Sequence, residues 1–97
     1  MIILFTTYRT KKGHDPKLLE QLTLWLREMA KTPGFLGADL LRDTDLKATY
    51  ALYTRWQSQQ ALEDFTSSRE EELARRTQID SLVEAKLVHT FEELEVS

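Results

Sequence analysis

Cysteine is absent from the 97 residues, so neither a disulfide framework nor thiolate chemistry is available. Glycine and proline are scarce, three and two, which excludes collagen-like and low-complexity chains. No apolar run is long. The longest, Met1 to Phe5, is far too short to span a bilayer, and it has neither a basic flank nor a small-residue cleavage site. An excess of positive charge is missing too: 13 Lys and Arg stand against 16 Asp and Glu, a formal net charge of −3. Lys11-Lys12 is an isolated pair, and Arg75-Arg76 closely follows three glutamates. Nucleic-acid binding rests on neutralising phosphates, and this pattern offers no such footprint. No internal repeat of roughly 20–50 residues is present. The expectation is a soluble, cytoplasmic protein with neither a nucleic acid nor a membrane as partner.

What is present is an ordinary globular balance, 41 % hydrophobic and 30 % charged. The length suits one domain over residues 1–97, with a core at about 2–91 and a strand extension at 92–97. Ile2 to Arg9 is apolar and β-branched and ends in Lys11-Lys12-Gly13, which predicts a strand and a turn. Asp15 suits an N-cap and Pro16 the first helical position. Leu18, Leu19, Leu22, Trp25, Leu26, Met29 and Ala30 then make one apolar stripe at helical spacing, with Gln21 and Glu28 on the other face. Thr32-Pro33-Gly34 stops that helix. Phe35 to Arg42 and Thr49 to Trp56 read as strands around a polar turn.

Ser58 caps a short helix carrying Ala61, Leu62 and Phe65. Ser68 and Glu71 form a capping box for another, with Glu71–Arg75 and Glu72–Arg76 as ion pairs and Leu73 and Ala74 as its apolar contacts. That segment is expected to be the most mobile. Leu82 to Val96 reads as a long last strand. Its odd positions Val83, Ala85, Leu87, His89 and Phe91 share one face, and Leu94 and Val96 extend its apolar character. The order β-α-β-β-α-β is the α+β, ferredoxin-like arrangement: an antiparallel sheet with helices on one face. The other face needs a cover, and a second copy of the sheet is the simplest one, which predicts a homodimer.

Two stretches carry a resemblance. Pro33-Gly34-Phe35-Leu36-Gly37 runs into Ala38-Asp39-Leu40-Leu41-Arg42-Asp43. A strand ending Arg55-Trp56-Gln57-Ser58 leads to Gln60-Ala61-Leu62-Glu63-Asp64-Phe65. From about Ile2 to about Phe91 the chain resembles the antibiotic biosynthesis monooxygenase family, where a Pro-Gly-Phe turn follows the first helix and a Trp-x-Ser ends the third strand. The resemblance implies a dimeric α/β barrel. It also implies a range of chemistry: cofactor-free oxidation of phenols or quinols by O₂, haem degradation, and in one relative the isomerisation of a phosphorylated sugar. The haem-degrading branch is marked by an Asn, a Trp and a His, and Thr6, Phe65 and Arg75 stand at those positions. Arginine stays protonated and cannot ligate iron. No cofactor and no metal are expected.

Candidate site residues follow. His89 could serve as a general base in a cavity between sheet and helices, since imidazole titrates near ~6.5. Its plain alternative is a packed histidine or one at a dimer seam. If the odd face of the last strand looks toward the helices, His89 shares that space with Trp25 and comes within reach of Thr6 or Tyr8. Thr6 and Tyr8 lie on one face of the first strand and could hydrogen-bond a phenol, or simply pack in the sheet. Trp25, Phe65 and Trp56 could line an aromatic pocket or fill the core. Arg42 and Arg55 are expected to pair with Asp39 and Asp43. His14 lies in a loop, and two distant histidines make no metal site. Nucleophile, nucleotide and metalloprotease motifs are missing. The leading expectation is cofactor-independent oxygenation of a small electron-rich aromatic or quinol. A non-catalytic, small-molecule-binding or stress-associated dimer is the alternative.

Overall fold

The β-branched and aromatic segments become strands and the amphipathic ones helices. In the computed structural model, which describes residues 1–67 and 70–96, they run β1 (Ile2–Thr10), α1 (Asp15–Met29), β2 (Phe35–Arg42), β3 (Thr49–Trp56), α2 (Gln59–Ser67), α3 (Glu70–Ser81) and β4 (Val83–Glu92). The strands form one antiparallel sheet in the order β2-β3-β1-β4. The ferredoxin-like class expected from the sequence is the one observed, with a third helix before β4. The Ser68–Glu71 capping box and the Glu71–Arg75 pair rest on Ser68 and the Glu71 side chain, which lie outside what the structure describes.

Side chains alternate across a strand, so directly paired residues share a face. On β1 that rule puts Leu4, Thr6 and Tyr8 on the helix side, beside Thr54, Leu52 and Tyr50 of β3 and Thr90, Val88 and Lys86 of β4. The α1 stripe covers them, with Leu18, Leu22, Trp25 and Met29 buried. Leu62 of α2 and Ile79 of α3 complete the core. The N-cap position of α1 is His14 rather than Asp15, and it makes no side-chain capping bond. The Asp15 carboxylate instead accepts the Tyr50 hydroxyl at 2.6 Å. Ser58 does cap α2: its Oγ accepts the Ala61 amide at 3.1 Å.

Two elements depart from expectation. The inward face of α3 is Glu72, Arg75, Arg76 and Ile79, whereas Leu73 is 60 % exposed and Ala74 also faces water. Positions 72, 75, 76 and 79 form one helical face, and polar groups of α1 meet it. Gln21, expected on the outer face of α1, is buried there with its Oε1 bonded to Arg75. The last strand ends at Glu92 rather than Val96. Its partner β1 begins at Ile2, and the Glu93 amide bonded to the Met1 carbonyl at 2.9 Å closes the ladder.

A register shift between Arg9 and Thr10 leaves Glu84 without a ladder partner on β1, although its carboxylate pairs with the Arg9 side chain at 2.9 Å. One extra residue inverts the parity of a strand. Val83 therefore enters the core, while Leu87, His89 and Phe91 pair with Thr7, Phe5 and Ile3 on the face without helices.

Gly34 turns the chain into β2 with φ +88°, and its carbonyl accepts the Gln57 amide at 2.7 Å. A Cβ there would stand 2.5 Å from that of Ala61. Gly34→Ala should cost about 1–3 kcal/mol, from strain and overpacking together. Urea unfolding followed by circular dichroism measures it, and an unchanged midpoint would refute the close approach.

Candidate functional site

Between the sheet and the helices lies a cavity of about 290 Å³, near the lower end of the ~300–1,000 Å³ usual for ligand pockets. Its floor is Leu4, Thr6 and Tyr8 of β1 with Lys86 and Val88 of β4. Trp25 of α1 closes one side, and Leu62 of α2 and Ile79 of α3 close the roof. Thr6, Tyr8, Trp25, Leu62 and Ile79 are all buried and make its inner end apolar apart from two hydroxyls, while Gln59, Glu63, Arg76, Asp80 and Lys86 make the outer lining polar and charged.

Most of the polar groups around the mouth pair with one another. Lys86 Nζ lies 2.8 Å from Asp80 Oδ1, and the Gln59 amide donates to Glu63 at 3.3 Å. Arg76 Nη2 donates to the Thr66 carbonyl at 2.9 Å. Burial drives the Tyr8 phenol far above its ordinary range, and the negative Asp80 and Glu72 add to that, opposed only by a hydrogen bond with Thr6. At neutral pH Tyr8 is therefore a hydrogen-bond donor and not a base.

The three aromatic residues expected at a pocket take different places. Trp25 is in the wall. Phe65 stands behind it, 6.3 Å from Trp25 and 5.4 Å from Trp56, ring centre to ring centre. Trp56 is wholly buried in the core, donating its indole N–H to Thr54 Oγ1 at 2.9 Å. Thr6 and Tyr8 do meet in the cavity. His89 does not join them: it is paired with Phe5 on the opposite sheet face, with its ring 6.1 Å from that of Phe91. The expected reach from His89 to Thr6 or Tyr8 is thus ruled out by strand parity. Arg75, at the position of the haem-branch histidine, turns to α1 and bonds Gln21 at 2.7 Å and Glu28 at 2.6 Å. Arg55 pairs with Asp39 at 3.1 Å as expected, whereas Arg42 lies over the Tyr50 ring. The amides of Leu46 and Asp45 take Asp43 instead and hold its carboxyl below the usual range.

Sequence reasoning passed over Arg76, Asp80 and Lys86 as cavity residues, and Glu72 behind them. The i, i+3, i+4, i+7 spacing of 72, 75, 76 and 79 is the available signal for Glu72 and Arg76, and none marks Asp80 or Lys86. Among the described residues no group of three or more potential ligands could hold a metal, and no helix is long and apolar enough to cross a membrane.

A four-stranded antiparallel sheet with its helices on one face and a cavity between them defines a ferredoxin-like α+β protein with a ligand-sized pocket. The antibiotic biosynthesis monooxygenase family model matches residues 1–77, most of the chain, and the chain belongs to that family. Among solved structures it is similar to a protein of Deinococcus radiodurans grouped with these monooxygenases (TM-score 0.89, 15 % identity, covering 100 % of this chain and 96 % of that one). It is similar also to one from Nitrosomonas europaea (0.85, 14 %, 98 % and 100 %). A third is a mutant of SnoaB, a cofactor-independent oxygenase from Streptomyces nogalater (0.83, 19 %, 98 % and 95 %). At these identities the likeness is one of fold. No curated protein matches.

Proposed function

We propose that this protein is a cofactor-independent monooxygenase that binds a small electron-rich aromatic, a quinol or phenol, in the sheet–helix cavity and works as a homodimer. The observation that carries the reading is the Thr6–Tyr8 hydroxyl pair, buried at the otherwise apolar inner end of the pocket beside Trp25. A flat ring fits against the indole, and one ring oxygen accepts from Tyr8. A quinol supplies all the electrons itself: one atom of O₂ enters a ring C–H bond as a hydroxyl, the other leaves as water with the two quinol hydroxyl hydrogens, and the product is a hydroxyquinone. The protein's contribution is orientation, a dry environment and a donor aimed at the oxygen where negative charge develops.

The test is O₂ uptake with 1,4-dihydroxynaphthalene, corrected for its spontaneous oxidation. Tyr8→Phe keeps the ring and removes the donor, so kcat should fall about 10²-fold. His89→Ala should leave kcat unchanged, because its side chain faces away from the cavity. The opposite pattern would return the base role to His89 and move the site to the other sheet face. The mutual pairing of the mouth residues favours a second reading, a non-catalytic binding protein. Saturable binding of the quinol without any O₂ uptake above background would select it.

A further inference from the structure

A glutamate is almost never buried without a partner, yet Glu72 of α3 is only 4 % exposed. Its Oε2 accepts the Trp25 indole N–H at 2.8 Å, across the α1–α3 contact. Its Oε1 stands 3.5 Å from Arg76 Nε, and both of these buried atoms lack a hydrogen-bond partner. Glu72 does not line the cavity, but Trp25 and Arg76 both do. Arg76 also donates to the Thr66 carbonyl of α2. One carboxylate thus sits at the junction of the three helices that roof the cavity.

We propose that Glu72 is a positioning residue for the cavity, whose carboxylate holds the Trp25 ring and the Arg76 guanidinium in place as two of its walls. The proposal rests on the cavity being the ligand site and is independent of any oxygenase chemistry. An indole N–H in an apolar wall needs an acceptor, and a carboxylate makes a stronger one than a neutral group. Ile79 is the one described apolar residue that α3 puts in the core, so its other ties are polar: Arg75 to Gln21 and Glu28 of α1, Arg76 to the Thr66 carbonyl, Asp80 to Lys86 of β4, and the Ser81 carbonyl to Lys11. The charged and titratable groups facing Glu72 are Arg75 and Arg76 on its own helix, Glu28 on α1 and Tyr8 on β1. Burial raises its pKa above the ordinary 4.5, and Glu28 adds to that, while the Trp25 bond and the two arginines oppose it.

The experiment follows the indole N–H signals by ¹H–¹⁵N NMR, assigned with Trp25→Phe. On acidification from pH ~8 to ~4 the Trp25 signal should titrate with a midpoint above the ordinary glutamate range. In Glu72→Gln it should be displaced and pH-independent, while the Trp56 signal, bonded to Thr54, stays constant in both. The folded state binds this proton more tightly than the unfolded chain does. Stability to urea should therefore fall as pH rises from 4.5 through the folded pKa and then level off, a slope that Glu72→Gln removes. Binding of 1-naphthol at neutral pH, read by calorimetry, should weaken about tenfold in Glu72→Gln.

A Trp25 signal that does not titrate in the wild type overturns the proposal, even if the variant fails to fold. So does a folded Glu72→Gln with unchanged indole shift and unchanged 1-naphthol affinity. If 1-naphthol does not bind the wild type, the aromatic-ligand reading fails, and the indole titration still decides Glu72.

Discussion

Trp56→Ala should cost about 3–5 kcal/mol of folding stability, a large share of the ~5–15 kcal/mol that holds a domain together. The ring is wholly buried at the end of β3, where it pairs with Ile2 of β1 and Phe35 of β2. The Phe35 ring meets it edge-on at 5.3 Å, and Phe65 lies tilted against it at 5.4 Å. Alanine leaves a void among these rings and takes away the donor that the Thr54 hydroxyl accepts. For a chain of this size each kcal/mol moves the melting temperature by roughly 4–8 °C, so Tm should fall by on the order of 12–40 °C. Trp56→Phe keeps a ring, loses only the indole bond and part of the volume, and should cost about 1–3 kcal/mol. Thermal and urea unfolding followed by circular dichroism measure both. A loss under 1 kcal/mol in the alanine variant would mean that the surrounding side chains collapse into the space, and the core would then be far more plastic than close-packed rings permit.

Phe5→Glu should convert a dimer into a folded monomer. Phe5 sits near the middle of the sheet face that has no helices, edge-on to Tyr53 at 6.3 Å and opposite His89. Leu41, Leu87 and Phe91 extend this face and are each about half exposed, at 45 %, 58 % and 53 %. A face of this kind is the natural seam for a second sheet, and a standard interface buries about 1,600 Å² in total. Light scattering of the wild type at micromolar concentration should give about twice 11.3 kDa. A carboxylate placed unpaired in the middle of a closed apolar seam costs several kcal/mol or more (about 2–7 for a neutral polar group alone), enough to open it at that concentration. The side chain points away from the core, so the circular dichroism spectrum should not change. A wild-type chain that scatters as a monomer would remove the homodimer from the proposed function, and His89 would then simply face water.

Much of this protein is written locally. The β-branched runs at β1 and β3, the leucine and tryptophan stripe of α1, and the Thr32-Pro33-Gly34 stop act through backbone propensity and side-chain periodicity, which neighbours in sequence determine. Thr6 and Tyr8 two apart on a strand, and Trp25 on the stripe, were for the same reason legible as residues that could face a common cavity. Three other features depended on partners far along the chain. Glu84, left out of the ladder, inverts the parity of β4 and carries His89 to the open face, a consequence of pairing with β1 some 80 residues earlier. The end of β4 is set by where β1 begins. The inward face of α3 is charged, because a tryptophan 47 residues away supplies the donor that makes burying Glu72 tolerable. Periodicity shows which residues share a face. Which face is buried is a question of compensation, and only the assembled tertiary structure brings the compensating groups within hydrogen-bonding distance.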